Sequence, residues 1–97
     1  MEKSKIIVTG ATGSIGLAAV KSLLSKDLPV IMACRNIRKA DSQRDSLIKE
    51  FPHSEIDVLE LDLNSLASIR AFVEEIKNQG FKVDKLLNNA GIICRDF

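Results

Sequence analysis

Short, continuous apolar runs take turns along this chain with longer stretches whose apolar residues recur every three or four positions. Lys5-Ile6-Ile7-Val8-Thr9 is the first run, and β-branched character without alternation suits a strand buried on both faces. From about Ser14 to Lys26, residues Ile15, Ala19, Val20, Leu23 and Leu24 gather on one side of a helix. Pro29 to Cys34 reads as a second buried strand, with its proline at the first position, where it disturbs the ladder least. Ile37 to Phe51 has helical spacing, with Ile37, Ala40, Leu47, Ile48 and Phe51 inward. Arg38, Lys39, Asp41, Gln43 and Asp45 face water, and Pro52 stops the helix. Glu55 to Leu61 is a third strand. Ser65 is placed to cap a third helix that runs to Gln79 and carries Leu66, Ile69, Phe72, Val73 and Ile76 at helical spacing. Gly80 stands where a left-handed residue closes such a helix. Asp84 to Leu87 is a fourth strand, leading into Asn88-Asn89-Ala90-Gly91.

The order β-α-β-α-β-α-β, with short connections and no repeat or linker, predicts an α/β fold. Its sheet is parallel, wrapped by helices through right-handed crossovers. By Rossmann topology the strand order is 3-2-1-4, and the chain stops soon after the fourth strand. Residues 1–97 make one domain, and 45% hydrophobic with 28% charged residues is an ordinary globular composition. A net charge of +1, from 14 basic and 13 acidic residues, gives no electrostatic footprint for nucleic acid or an anionic membrane. No run approaches the roughly 20 apolar residues of a membrane span, and no signal-peptide pattern precedes the first strand, so a cytoplasmic protein is expected. Two cysteines, Cys34 and Cys94, suggest neither a disulfide framework nor a metal site, and His53 has no ligand spacing around it.

Thr9-Gly10-Ala11-Thr12-Gly13-Ser14-Ile15-Gly16 joins the first strand to the first helix. Gly10 allows the tight exit from the strand, Gly13 lets backbone approach a pyrophosphate, and Gly16 lets the helix pack on the sheet. The amides at the helix start, from Ser14 and Ile15 to Gly16, then face the ligand with the positive end of the helix dipole. At the end of the second strand, where an NAD site usually keeps a carboxylate for the ribose 2′-hydroxyl, this chain has Cys34 and Arg35. A guanidinium can grip a 2′-phosphate that a carboxylate would repel. The expected cofactor is therefore NADP, although Arg35 also reads as a solvated loop charge. Asn36 and Thr12 are candidates for neutral hydrogen bonds to the same phosphate, and Lys39 reads as surface.

These motifs, with Leu61-Asp62-Leu63 and Asn88-Asn89-Ala90-Gly91, resemble the short-chain dehydrogenase/reductase family over essentially the whole chain. Ala33-Cys34-Arg35-Asn36 and the stretch from Leu66 to Phe72 are similar to its retinol-dehydrogenase-like branch. One departure is visible: the family's middle glycine falls at Ser14, and Gly13 stands instead, a spacing similar to the extended and atypical branches. Which amide meets which phosphate is left open by that spacing. The resemblance implies that Asp62 bonds the adenine amino group while Leu63 adds a backbone contact; Asp62 alternatively reads as a turn former. It further implies that Asn89, Ala90 and Gly91 wall the adenosine ribose, and that Asn88 braces the sheet.

The family's hydride transfer relies on a Tyr-x-x-x-Lys pair, an orienting serine and a supporting asparagine. This chain contains no tyrosine, so the catalytic set is expected to be absent and residues 1–97 inactive alone. Three readings stand: the NADP-binding half of a full-length oxidoreductase acting on a carbonyl or alcohol, a short nucleotide-binding module, or a half-domain with an assembly role. With no fifth strand expected, the fourth strand's outer edge is open, and a homo-oligomer through that edge is predicted.

Overall fold

The computed structural model describes residues 4–88 and 93–96, and for Asp84, Asn88 and residues 93–96 it describes the backbone alone. The elements are β1 (Lys5–Thr9), α1 (Ser14–Ser25), β2 (Val30–Cys34), α2 (Ile37–Glu50), β3 (Ile56–Glu60), α3 (Leu66–Asn78), β4 (Val83–Asn88) and β5 (Ile93–Asp96). They form a five-stranded sheet in the order β3-β2-β1-β4-β5. The first four strands are parallel, with Ile7 opposite both Ile31 and Leu86, and Met32 opposite Val58.

Successive residues of a strand point to opposite faces, and this divides the core in two. Ile6, Val8, Val30 and Met32 meet Val20, Leu24 and Leu47 on the face covered by α1 and α2. Ile7, Ile31 and Ala33 meet Leu61 and Phe72 on the face covered by α3. Every residue of β2 is buried, as its unbroken apolar run requires.

The helix ends follow local chemistry. The Asn36 side chain accepts a hydrogen bond from the Lys39 amide at 3.0 Å and opens α2. Ser65 does the same for α3 through the Ser68 amide at 3.1 Å. Gly80 closes α3 at φ +69°, and Asp27, at φ +61°, turns the chain after α1. Lys5 reaches across β2 to the Asp57 carboxylate, 2.9 Å away, and lies 4.7 Å from the Phe81 ring centroid.

Four expectations are corrected. The edge of β4 is not open: β5 returns antiparallel along it, with Leu87 opposite Cys94 and Leu86 opposite Arg95. The connection spans only residues 89–92, too short for the dozen or more residues of a parallel crossover, so an antiparallel return is the one pairing it permits. Ile15 does not face inward and is 76% exposed. The buried stripe of α1 runs through Gly16, Val20 and Leu24, and a one-residue offset turns Ile15 about 100° away from it. Leu66 and Val73 of α3 are exposed as well. Gln43, expected in water, is half-buried and bonds the glycine turn.

Beside α3 lies an apolar cavity of about 420 Å³, between Phe72, Val73 and Ile76 of the helix and Ile7, Val83 and Leu86 of the sheet. Two helices cover one face of the sheet and a single helix the other, which leaves this space. Cys34 and Cys94 stand on strands separated by β1 and β4. Three strand spacings amount to about 14 Å, beyond the roughly 7 Å limit for a disulfide. No helix among the described residues is long and apolar enough to cross a membrane, and none of their His, Cys, Asp and Glu side chains cluster as a metal site.

Candidate nucleotide-binding site

The site begins where β1 ends. Gly10 leaves the strand at φ +60°, in the region that side chains disfavour. Its carbonyl accepts the Gly13 amide at 3.2 Å, closing a tight turn, and the Gly13 carbonyl accepts the Leu17 amide at 2.8 Å, starting α1. A Cβ on Gly16 would fall 2.1 Å from the Gly10 carbonyl oxygen and 2.9 Å from the Ala11 Cα. Both neighbours are backbone and cannot rotate aside, so only glycine permits this contact. Gly13 differs: its Cβ would meet only the Gly10 oxygen, at an ordinary 3.6 Å.

The first turn of α1 has no side-chain cap and no acidic residue. A helix leaves its first amides without intrahelical acceptors, and the Gly13 amide is already engaged. The Ser14, Ile15 and Gly16 amides are thus the open donors at the positive end of the helix. An anion is the partner such an end accommodates best.

Beside this turn, above the ends of β1, β2 and β3, lies a cavity of about 460 Å³, a size that suits part of a dinucleotide. Gly10, Thr12 and Gly13 line it from the turn, Arg35 and Asn36 from the β2–α2 junction, and Asp62 and Leu63 from the β3–α3 junction. Seven expected residues from three loops therefore converge. Ser14, Ile15 and Gly16 sit just beyond, in the first turn of α1. Asn89, Ala90 and Gly91 lie outside the described residues.

Several side chains have a defined orientation. Because Asn36 Oδ1 accepts the Lys39 amide, its amide nitrogen keeps both protons for another acceptor. Asp62 Oδ1 accepts the Asn64 amide at 2.9 Å, and the Asp62 amide donates to Ser68 Oγ at 2.9 Å. The aspartate therefore does build a turn, and that turn holds its carboxylate at the cavity wall. Cys34 is buried beneath the rim and donates weakly to the Asn36 carbonyl. Burial pushes its thiol above the usual pKa, and the Asp41 and Glu60 carboxylates push it the same way. The thiol is thus neutral at physiological pH and contributes no charge.

Sequence reasoning passed over Lys39 as surface, yet it lines the cavity. The usable signal was its place three residues after Asn36, in the first turn of a helix whose start borders the site. The rim is therefore polarised. Arg35 and Lys39 supply two cations on the α2 side, and Asp62 supplies a carboxylate on the β3 side.

A parallel sheet, a glycine turn feeding an uncapped helix, and a cavity over the carboxyl ends of the strands define a Rossmann-type nucleotide-binding domain. The chain belongs to the short-chain dehydrogenase family, whose model matches residues 4–97. It is 38% identical over 90 residues to the rat 3-keto-steroid reductase/17-beta-hydroxysteroid dehydrogenase 7, covering 91% of this chain and 27% of that protein. Among solved structures it is similar to menthone neomenthol reductase from Mentha piperita, with a TM-score of 0.81 and 36% identity, covering 93% of this chain and 32% of the other. An NADPH-bound short-chain oxidoreductase from Pseudomonas aeruginosa PAO1 is 27% identical with a TM-score of 0.70, covering 77% of this chain and 29% of that one. The chain thus spans about a third or less of the length of each.

The two glycines of the turn should separate in mutagenesis. Gly16→Ala forces backbone apart and should cost at least about 2 kcal/mol. Gly13→Ala meets no clash and should cost less than about 1 kcal/mol, the difference expected at a helix N-cap. Urea denaturation of both variants checks the contrast, and equal losses would contradict the geometry.

Proposed function

We propose that residues 1–97 are the NADP(H)-binding half-domain of a short-chain oxidoreductase whose complete form moves hydride between NADP(H) and a carbonyl or alcohol substrate. The observation that carries this is the cation pair at the cavity rim: Arg35 and Lys39 line it, and Cys34 stands where an NAD site keeps its carboxylate. In this reading the Ser14, Ile15 and Gly16 amides hold the pyrophosphate, with bare Gly10 and Gly13 beside it. Arg35 binds the 2′-phosphate with Lys39, and Asn36 and Thr12 add neutral donors. Asp62 accepts from the adenine amino group, Leu63 contacts the ring through its backbone, and Asn89, Ala90 and Gly91 border the ribose. The donor set fits the group: amides and cations lie toward the phosphates, and a carboxylate toward the amine. NADPH bound in a 27% identical relative supports the same choice. The bound cofactor supplies the hydride; the residues here bind and orient it. We place the chain in the cytoplasm, a reducing compartment that suits two well-separated cysteines.

Cofactor choice tests the reading directly. Calorimetric titration should give tighter binding of NADPH than of NADH, and Arg35→Asp should reverse or abolish the difference. Tighter NADH binding by the unaltered chain would overturn the assignment.

A positioned proton donor is typically worth 10²–10⁴-fold in rate, and a chain with no tyrosine lacks the family's donor. Purified residues 1–97 should therefore oxidise NADPH with aldehydes or ketones no faster than a buffer blank. Sustained substrate-dependent oxidation would refute this.

The same reading carries homo-oligomer formation. It is supported by the outer edge of β5, along which no further strand pairs among the described residues, and by the apolar cavity beside α3. Light scattering at micromolar concentration should report a dimer or larger species, whereas a monodisperse mass near 10.7 kDa would count against it.

A further inference from the structure

Gln43 is a half-buried polar side chain of α2 that the nucleotide reading leaves unused. It lies one helical turn beyond Lys39, on the helix whose first turn borders the cavity. Its amide nitrogen donates to the Thr12 carbonyl at 3.2 Å, joining residues far apart in sequence. That carbonyl belongs to the peptide unit whose N–H is the Gly13 amide, and this amide donates to the Gly10 carbonyl at 3.2 Å. Both polar ends of the Thr12–Gly13 peptide are therefore held, one by the turn itself and the other by α2.

The lock has a cost. Gln43 Oε1 is buried without a hydrogen-bond partner, and a buried acceptor left unmade is destabilising. Reversing the amide gives no relief, because Oε1 would then face the Thr12 oxygen. An apolar side chain of the same length would avoid the penalty. Glycine at 13 explains what the tether prevents: without a Cβ, rotation of this peptide plane meets little resistance. A rotated plane would break the turn's own hydrogen bond and swing a carbonyl dipole toward the mouth of the anion site.

We propose, resting on the nucleotide-binding reading, that Gln43 is a positioning residue. It locks the Thr12–Gly13 peptide so that the Ser14, Ile15 and Gly16 amides face the pyrophosphate as one set. It also ties that set to Arg35 and Lys39, so the pyrophosphate and 2′-phosphate sites sit on a single frame.

Gln43→Met keeps length and volume and removes both polar groups. In the ligand-free chain, amide hydrogen exchange at Gly13 should accelerate by at least about fivefold, the loss of roughly one hydrogen bond. The remainder of α1 and α2 should be unchanged. The thermal midpoint should change little, because removal of the unsatisfied oxygen offsets loss of the bond to the Thr12 carbonyl, while the Kd for NADPH increases roughly five- to tenfold. Unaltered exchange at Gly13 would overturn the lock, and so would faster exchange with an unchanged Kd. Faster exchange throughout α1 and α2, with a fall in thermal midpoint alongside the affinity loss, would assign Gln43 to packing alone and overturn the proposal. Failure of the unaltered chain to bind any dinucleotide would instead sink the nucleotide reading, with the exchange measurement still deciding whether the tether exists.

Discussion

The near-contact of α1 with the end of β1, at Gly16 against the Gly10 carbonyl, is the constraint on which the rest depends. A Cβ there would overlap backbone at 2.1 Å, so the helix approaches the strand as closely as the chain allows. That approach aims the helix axis, and with it the open amides of Ser14, Ile15 and Gly16, at the space above the strand ends. It also sets how far Val20 and Leu24 descend onto Ile6, Val8, Val30 and Met32. Site and core on this face are two results of one steric requirement. A larger residue at 16 would lift the helix, loosen the core and turn the amides away together.

The second organising feature is the division of charge around the cavity. Three loops reach it, and each brings a different chemistry: bare amides from the turn, cations from the start of α2, and a carboxylate from the start of α3. Asn36 and Asp62 are each held by an interaction that serves the fold first. Asn36 caps α2 with its oxygen and so presents its nitrogen, while Asp62 builds a turn with one oxygen and so fixes its carboxylate. Cys34 lies beneath them as a neutral thiol because burial opposes its ionisation. The rim therefore carries positive charge on one side and negative charge on the other.

Much of this was legible in the sequence because period and composition agreed. The run Lys5–Thr9 and the stretch ending at Cys34 read as buried strands, and Ser65 and Gly80 marked helix ends by chemistry that acts locally; the Asn36 cap of α2 was not foreseen. What escaped depends on direction rather than pattern. Ile15, Leu66 and Val73 carry the right period but sit to one side of the buried stripe, and an apolar residue on a helix does not announce its azimuth to within a residue. Lys39 and Gln43 look like surface polar residues by the same period. Only the placement of α2 against the glycine turn gives one a cavity to line and the other a carbonyl to hold. β5 escaped because a residue run as short as Ile93–Asp96 has no periodicity of its own, and its pairing is imposed by the short connection before it.

Gly13 is the glycine of the turn that the fold itself does not demand. Gly10 and Gly16 are demanded by the protein, through a left-handed backbone and an impossible Cβ. Gly13 is not: its φ of −76° is open to any residue, and a Cβ there would make ordinary contact. Folding alone would accept alanine, serine or aspartate at this N-cap, and the polar choices would hold the helix better than glycine does. A serine or aspartate there would, however, spend its oxygen on the amides that now stand open, and aspartate would add a charge that repels an incoming phosphate. The bare position therefore keeps the helix end uncapped by the protein, and the amides unspent for an anion from outside.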